Sequence, residues 1–200
     1  MARAHVLAWE LAQRCRRRVT CRAEIIKEAT LKDAHIYCVT RKIRPHEYGA
    51  LLEHYICAKY ELARNGASDR SGDVRVNDQN AEVKVSIGLG CDCHANRRVK
   101  FNWVQLRPTH GVDFYILTAY HLARENVDTE GELYVFRVPK AAMVRLLVQY
   151  GGYAHGTKLR LGKITAEEMM DETSTKEYAL RPVYGKECWM ELLEMRVASL

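Results

Sequence analysis

The sequence predicts an α/β (α+β) domain, a mixed central sheet flanked by helices. Three stretches predict it. Residues 71–86 form a charged hairpin: Val74 and Val76 alternate with Asp73 and Arg75, and Val83 and Val85 alternate with Glu82 and Lys84. Valine alternating with polar residues at period two marks half-buried strands. Residues 112–120 are apolar on both faces, which suits a central strand covered on both sides. Tyr48, Leu51, Leu52, Tyr55, Ile56, Tyr60 and Ala63 recur at i, i+3, i+4 spacing and place an amphipathic helix directly before the hairpin.

A chain of 200 residues allows one sizeable core, and no linker, repeat or low-complexity segment divides it. Residues 2–18 and 22–36 predict helices, the first running into Arg14, Arg16, Arg17, Arg18 and Arg22; residues 36–43 form a short strand or an extended connector. Pro45 opens the next helix, where its missing N–H costs nothing. That helix is expected to run for about five turns and to close at Asn65-Gly66, a left-handed cap signal. In the hairpin the turn lies within Asn77–Asn80. Centred between Asp78 and Gln79, it sets Val76 opposite Ala81, Arg75 opposite Glu82 and Asp73 opposite Lys84. Residues 97–107 predict a short amphipathic helix. Residues 132–138 predict a further strand, and Pro139 opens a helix carrying Met143, Leu146, Leu147 and Tyr150, closed by Gly151-Gly152. Residues 153–160 form a basic loop, 164–174 an acidic segment, 178–182 an extended piece, and 186–197 a last helix that buries Cys188, Trp189, Leu192, Leu193 and Met195.

Composition narrows the class. Hydrophobic content of 48% and charged content of 28% are those of a soluble globular protein, and no apolar run approaches the roughly 18 residues of a membrane span. The Arg-rich start contains Glu10, no Ser and no separate apolar run, so it reads as mature helix rather than a presequence. Seven cysteines at irregular spacing read as reduced thiols, and the expected location is cytoplasmic. The net charge of +6 favours a nucleic-acid partner. Cys91-Asp92-Cys93-His94 has the look of half a zinc site, but no second pair accompanies it. Phosphate-loop, His-Glu-x-x-His and Gly-x-Ser-x-Gly signatures are missing.

The chemistry sits on the hairpin. Side chains alternate across a sheet, so Asp73, Arg75, Glu82 and Lys84 share one face. Mg²⁺ takes oxygen ligands and keeps several waters, and Asp73 and Glu82 can each give it a carboxylate oxygen. A metal held there acidifies an attacking water and neutralises charge on a phosphate, while Lys84 orients that water or stabilises the transition state. The alternative is a solvated charged face with no chemistry. Downstream, Arg97, Arg98, Lys100, Asn102, Gln105 and Arg107 interleave with Phe101 and Trp103, and Arg, Asn and Gln are the side chains that read purine edges. His155, Thr157 and Lys158 lie in the basic loop and suit a recognition loop.

The pattern Asp73-x8-Glu82-x-Lys84 resembles the PD-(D/E)XK nuclease superfamily, home of most type II restriction endonucleases, with Gly72 standing where the family name has proline. The resemblance implies a restriction-endonuclease-like αβββαβ core. Residues 1–45 would then be a helical N-terminal part, 46–150 the catalytic core and 151–200 a C-terminal extension, the first strand lying at 67–70 or at 36–40. It implies a Mg²⁺-dependent, sequence-specific endonuclease of double-stranded DNA, acting as a homodimer. Asp73, Glu82 and Lys84 would be catalytic. Glu53 on the preceding helix would hold a second metal or a metal-bound water, with Glu61 as its rival; Asp69 is the rival of Asp73. Gln105 would line the DNA cleft on a helix. A monomeric nicking or repair nuclease of the same fold, a catalytically silent DNA-binding protein, and an RNA-binding or protein-interaction domain remain the alternatives.

Overall fold

The computed structural model describes residues 45–65, 71–91, 98–109, 111–121, 132–154, 164–198 and 200. The expected helices over 2–18 and 22–36, both expected positions of the first strand, Asp69, and residues 155–160 of the basic loop lie outside them.

Helix α1 (Pro45–Lys59) has 15 residues, one turn fewer than expected. It stops because Glu61 turns left-handed, φ 54°. Leu62 N–H then donates to Cys57 O at 2.8 Å and Glu61 N–H to Ala58 O at 3.4 Å, the bond pair of a Schellman end. A glutamate rather than Asn65-Gly66 therefore supplies the cap. The residues released from the helix become strand β1 (Ala63–Arg64), the first strand among the described residues.

Strands β2 (Val74–Val76) and β3 (Gln79–Ile87) form the expected hairpin, and β1 pairs with β2 antiparallel. The turn is the two residues Asn77 and Asp78, at φ 48° and 62°. Both are left-handed, as a type I′ turn requires. Val76 accordingly faces Gln79 and Val74 faces Ala81, two residues from the expected register. An even slip keeps every side chain on its face. It moves Asp73 from Lys84 to the neighbourhood of Glu82.

Next come β4 (Leu89–Cys91), β5 (Arg98–Lys100), β6 (Trp103–Leu106), β7 (Phe114–His121) and β8 (Glu132–Pro139). Residues 98–106 are thus two strands, not the expected helix. Phe101 and Trp103 are buried at period two, then Gln105 turns left-handed (φ 59°) and Leu106 is buried in its place. This bulge makes the Trp103-to-Leu106 spacing imitate a helix. Helix α2 (Lys140–Tyr150) follows Pro139 as expected and buries Met143, Leu146 and Leu147. The described chain ends with β9 (Gly152–Tyr153), α3 (Ala166–Met170), β10 (Tyr178–Leu180) and α4 (Glu187–Leu193).

The fold is mixed α+β. Five strands make a mixed sheet in the order β1-β2-β3-β7-β8. β3 and β7 are parallel, from Ala81 opposite Phe114 to Ile87 opposite Tyr120, and β8 returns antiparallel to β7. Ile56 and Cys57 of α1 pack with Val74, Ala81, Val83, Phe114, Ile116 and Val135 on one face. The opposite face carries Tyr115, Leu117, Tyr134 and Phe136 into a second core with Met143, Leu146 and Trp189. A smaller sheet, β6-β10-β9, belongs to that second layer. No helix among the described residues is long and apolar enough to cross a membrane.

Candidate active site

The hairpin's offset ends create the site. Strand β2 covers only the start of β3, so among the described residues the edge of β3 beyond Ala81 has no strand partner on that side. Asp73 fills the place. Its N–H donates to Ala81 O, and its Oδ2 accepts the Val83 N–H, both at 2.9 Å. The side chain thus extends the ladder by one bond and is fixed between Ala81 and Val83, alongside Glu82. Asn65 ties down the approach, through its N–H to Asp73 O at 2.8 Å and its amide to Gly72 O at 3.1 Å.

Gly72 shows why proline does not precede this aspartate. Its φ is +97°, and a Cβ there would stand 2.6 Å from Ala81 O. Proline is locked near −65°, so this entry to the hairpin excludes it.

Glu82 and Lys84 are successive residues on the same face of β3, the face of Tyr115 and Leu117. Lys84 Nζ lies 2.6 Å from Glu82 Oε1, and both side chains are only about 15% exposed (15% and 14%). Burial by itself would push the Lys84 ammonium towards neutrality; Glu82, then Glu53 and Asp73, reverse this and raise its pKa above the ordinary value. The group is a retained cation. Glu53 responds in the opposite way. Burial raises its carboxyl to about 7, Lys84 pulls it down, Asp73 and Glu82 push it up again, and Arg64 lowers it. Arg64 itself bonds His54 Nδ1 at 2.6 Å. Glu61, the rival of Glu53, is exposed at the helix end.

The structure therefore brings together Asp73, Glu82 and Lys84, with Glu53 inside their field. Gln105 stands apart: it is exposed on β6, and among the described residues it makes no hydrogen bond to the three. Lys100 and Asn102 are exposed. The Asn102 N–H donates to Ser86 Oγ at 2.8 Å, which ties the β5–β6 connection to the far end of β3. Arg107 is exposed but ion-paired with Glu177. Arg98 lies on β5; Arg97, His155, Thr157 and Lys158 lie outside the described residues.

One polar group escaped the reading of the sequence. Tyr115 faces Glu82 directly across the parallel β3–β7 pair. It is fully buried (0% exposed), and among the described residues its hydroxyl has no hydrogen-bond partner. Burial and then the charge of Glu82 raise its pKa. Only the register across the 88–113 crossover places it there, and local sequence does not carry that register.

The donor set suits a hard cation bound mainly by water. Among the described residues no three His, Cys, Asp or Glu side chains gather at one point. Asp73 and Glu82 provide two neighbouring carboxylates, and Mg²⁺ characteristically takes one or two carboxylates, substrate phosphates and waters. No protein-family model matches the chain, and no curated protein sequence matches it.

Proposed function

We propose that this protein is a Mg²⁺-dependent, sequence-specific endonuclease that hydrolyses phosphodiester bonds of double-stranded DNA, built on a restriction-endonuclease-like core. The observation that carries the reading is the half-buried cluster of Asp73, Glu82 and Lys84, with its 2.6 Å Lys84–Glu82 pair, where β2 ends along β3. Its context supports it. A helix bearing Glu53 precedes three consecutive antiparallel strands, and the next central strand, β7, runs parallel to the third. That order resembles the αβββαβ core, with strands β4 to β6 in the crossover where the core has a helix.

In this reading Asp73 and Glu82 would hold Mg²⁺. A bound Mg²⁺ supplies a more acidic water and neutralises charge on the phosphate. The residues do the rest. Lys84 is held as an ammonium, so it serves as a hydrogen-bond donor and fixed positive charge rather than as a general base. It positions the nucleophile and faces the charge that grows on the phosphate oxygens. The Val83 N–H fixes one oxygen of Asp73 and leaves the other for ligation. Glu53 titrates near neutrality, a value suited to moving a proton at a metal-bound water. Lys100, Asn102, Gln105 and Arg107 present exposed polar side chains to DNA. Two copies would act on a palindromic site.

The test separates chemistry from binding. Glu82→Gln and Lys84→Ala are expected to lower cleavage by at least about a hundredfold while gel-shift affinity for the same duplex stays within about threefold. Cleavage at the wild-type rate in either variant would remove the site assignment. Equal loss of binding and cleavage would instead favour a structural ion pair in a DNA-binding protein.

A further inference from the structure

Tyr115 presents an imbalance. It is a fully buried phenol whose O–H lacks an acceptor among the described residues. Buried donors are nearly always satisfied, and an orphan costs free energy with no return. Its cross-strand neighbour Glu82 has the opposite property. A carboxylate offers about four acceptor positions, and the described contact of Glu82 is the one to Lys84. The two residues lie on one face of adjacent parallel strands, Glu82 opposite Tyr115 and Lys84 opposite Leu117. The Glu82 charge acts on the phenol, so the hydroxyl lies within its field.

A packing role does not require the oxygen. The ring packs in the core beside Leu117, Phe136 and Val138, where phenylalanine would serve as well and would leave no orphan. Lys84 now holds Glu82 at the distance of a tight charge-assisted hydrogen bond. A cation arriving at Glu82 competes with that ammonium for the same oxygens. The carboxylate then needs another donor to keep its orientation, and Tyr115 is placed beside it.

We infer that Tyr115 is a positioning residue of the proposed site: when Mg²⁺ occupies Asp73 and Glu82, its hydroxyl donates to the Glu82 carboxylate, directly or through one water, and holds it in the ligating orientation. The inference rests on the metal-binding reading of Asp73 and Glu82. It assigns the residue to cation affinity rather than to DNA binding or core packing.

The experiment is calorimetric titration of the full chain with MgCl₂ in the absence of DNA, for wild type, Tyr115→Phe and Glu82→Gln, with thermal melts of each. Tyr115→Phe is expected to melt at or above the wild-type temperature, since it loses an unsatisfied polar atom, and yet to bind Mg²⁺ about tenfold more weakly. Glu82→Gln is expected to lose binding altogether. Wild-type Mg²⁺ affinity in Tyr115→Phe, with Glu82→Gln still deficient, would overturn the role of Tyr115 and leave the metal site standing. Absence of Mg²⁺ binding by the wild type would overturn the metal site and the role of Tyr115 together. A melting temperature lowered by Tyr115→Phe with unchanged Mg²⁺ affinity would show a structural hydroxyl and also overturn the inference.

Discussion

Glu53 and Lys84 answer the same burial in opposite ways. The lysine stays charged because acidic neighbours surround it, whereas the glutamate, with Asp73 and Glu82 nearby, keeps its proton to about pH 7. The glutamate makes stability depend on pH. Below its ordinary value of 4.5, Glu53 is protonated in both folded and unfolded chains. Between 4.5 and about 7 the unfolded chain has released the proton and the folded chain has not, so stability falls as pH rises through this window and its contribution is gone above it. The full difference is up to about 3 kcal/mol. Glu53→Gln is therefore expected to match the wild type in urea melts at pH 4 and to exceed it at pH 8 by up to that amount. Parallel stability curves for the two proteins over this range would show that Glu53 does not carry the shift.

At the level of elements, two left-handed residues fix the geometry that aims Asp73. Glu61 ends α1 early enough for Ala63 and Arg64 to form β1, and Gly72 admits the chain to β2 against Ala81. Their substitutions have opposite expected signs. Glu61→Gly relieves a conformation unfavourable for an L-residue and is expected to stabilise the fold by about 1 kcal/mol. Gly72→Ala adds a Cβ against backbone and is expected to destabilise by at least about 2 kcal/mol in denaturant melts. A neutral Gly72→Ala would show that the hairpin entry is not tight. These positions also mark where the sequence was legible. The hairpin, the doubly buried strand β7 and the helix after Pro139 were readable, because hydrophobic period and turn chemistry are local. The faces of Glu82 and Lys84 survived an error in register because the slip was even. What failed was set by tertiary structure. A glutamate adopted the cap conformation that Asn65-Gly66 signalled, and the bulge at Gln105 gave a strand helical spacing. Tyr115 met Glu82 only through a long parallel crossover.

Across the whole molecule, the +6 charge and the exposed Lys100 and Arg107 are read as a phosphate-binding surface. Each released counterion contributes about one unit to the slope of log affinity against log salt. Lys100→Ala is expected to reduce that slope by about one in gel-shift titrations. Arg107→Ala is expected to reduce it less, because Arg107 must first leave Glu177; an unchanged slope for Lys100→Ala would place the DNA elsewhere. Whether the Asp73, Glu82 and Lys84 cluster cuts duplex DNA with Mg²⁺ is decided by incubating the purified protein with unmethylated phage DNA, in Mg²⁺ and in EDTA, and resolving the products on a gel. Discrete fragments are expected with Mg²⁺ and intact DNA with EDTA. Intact DNA under both conditions, or equal cutting under both, would contradict that role of the cluster.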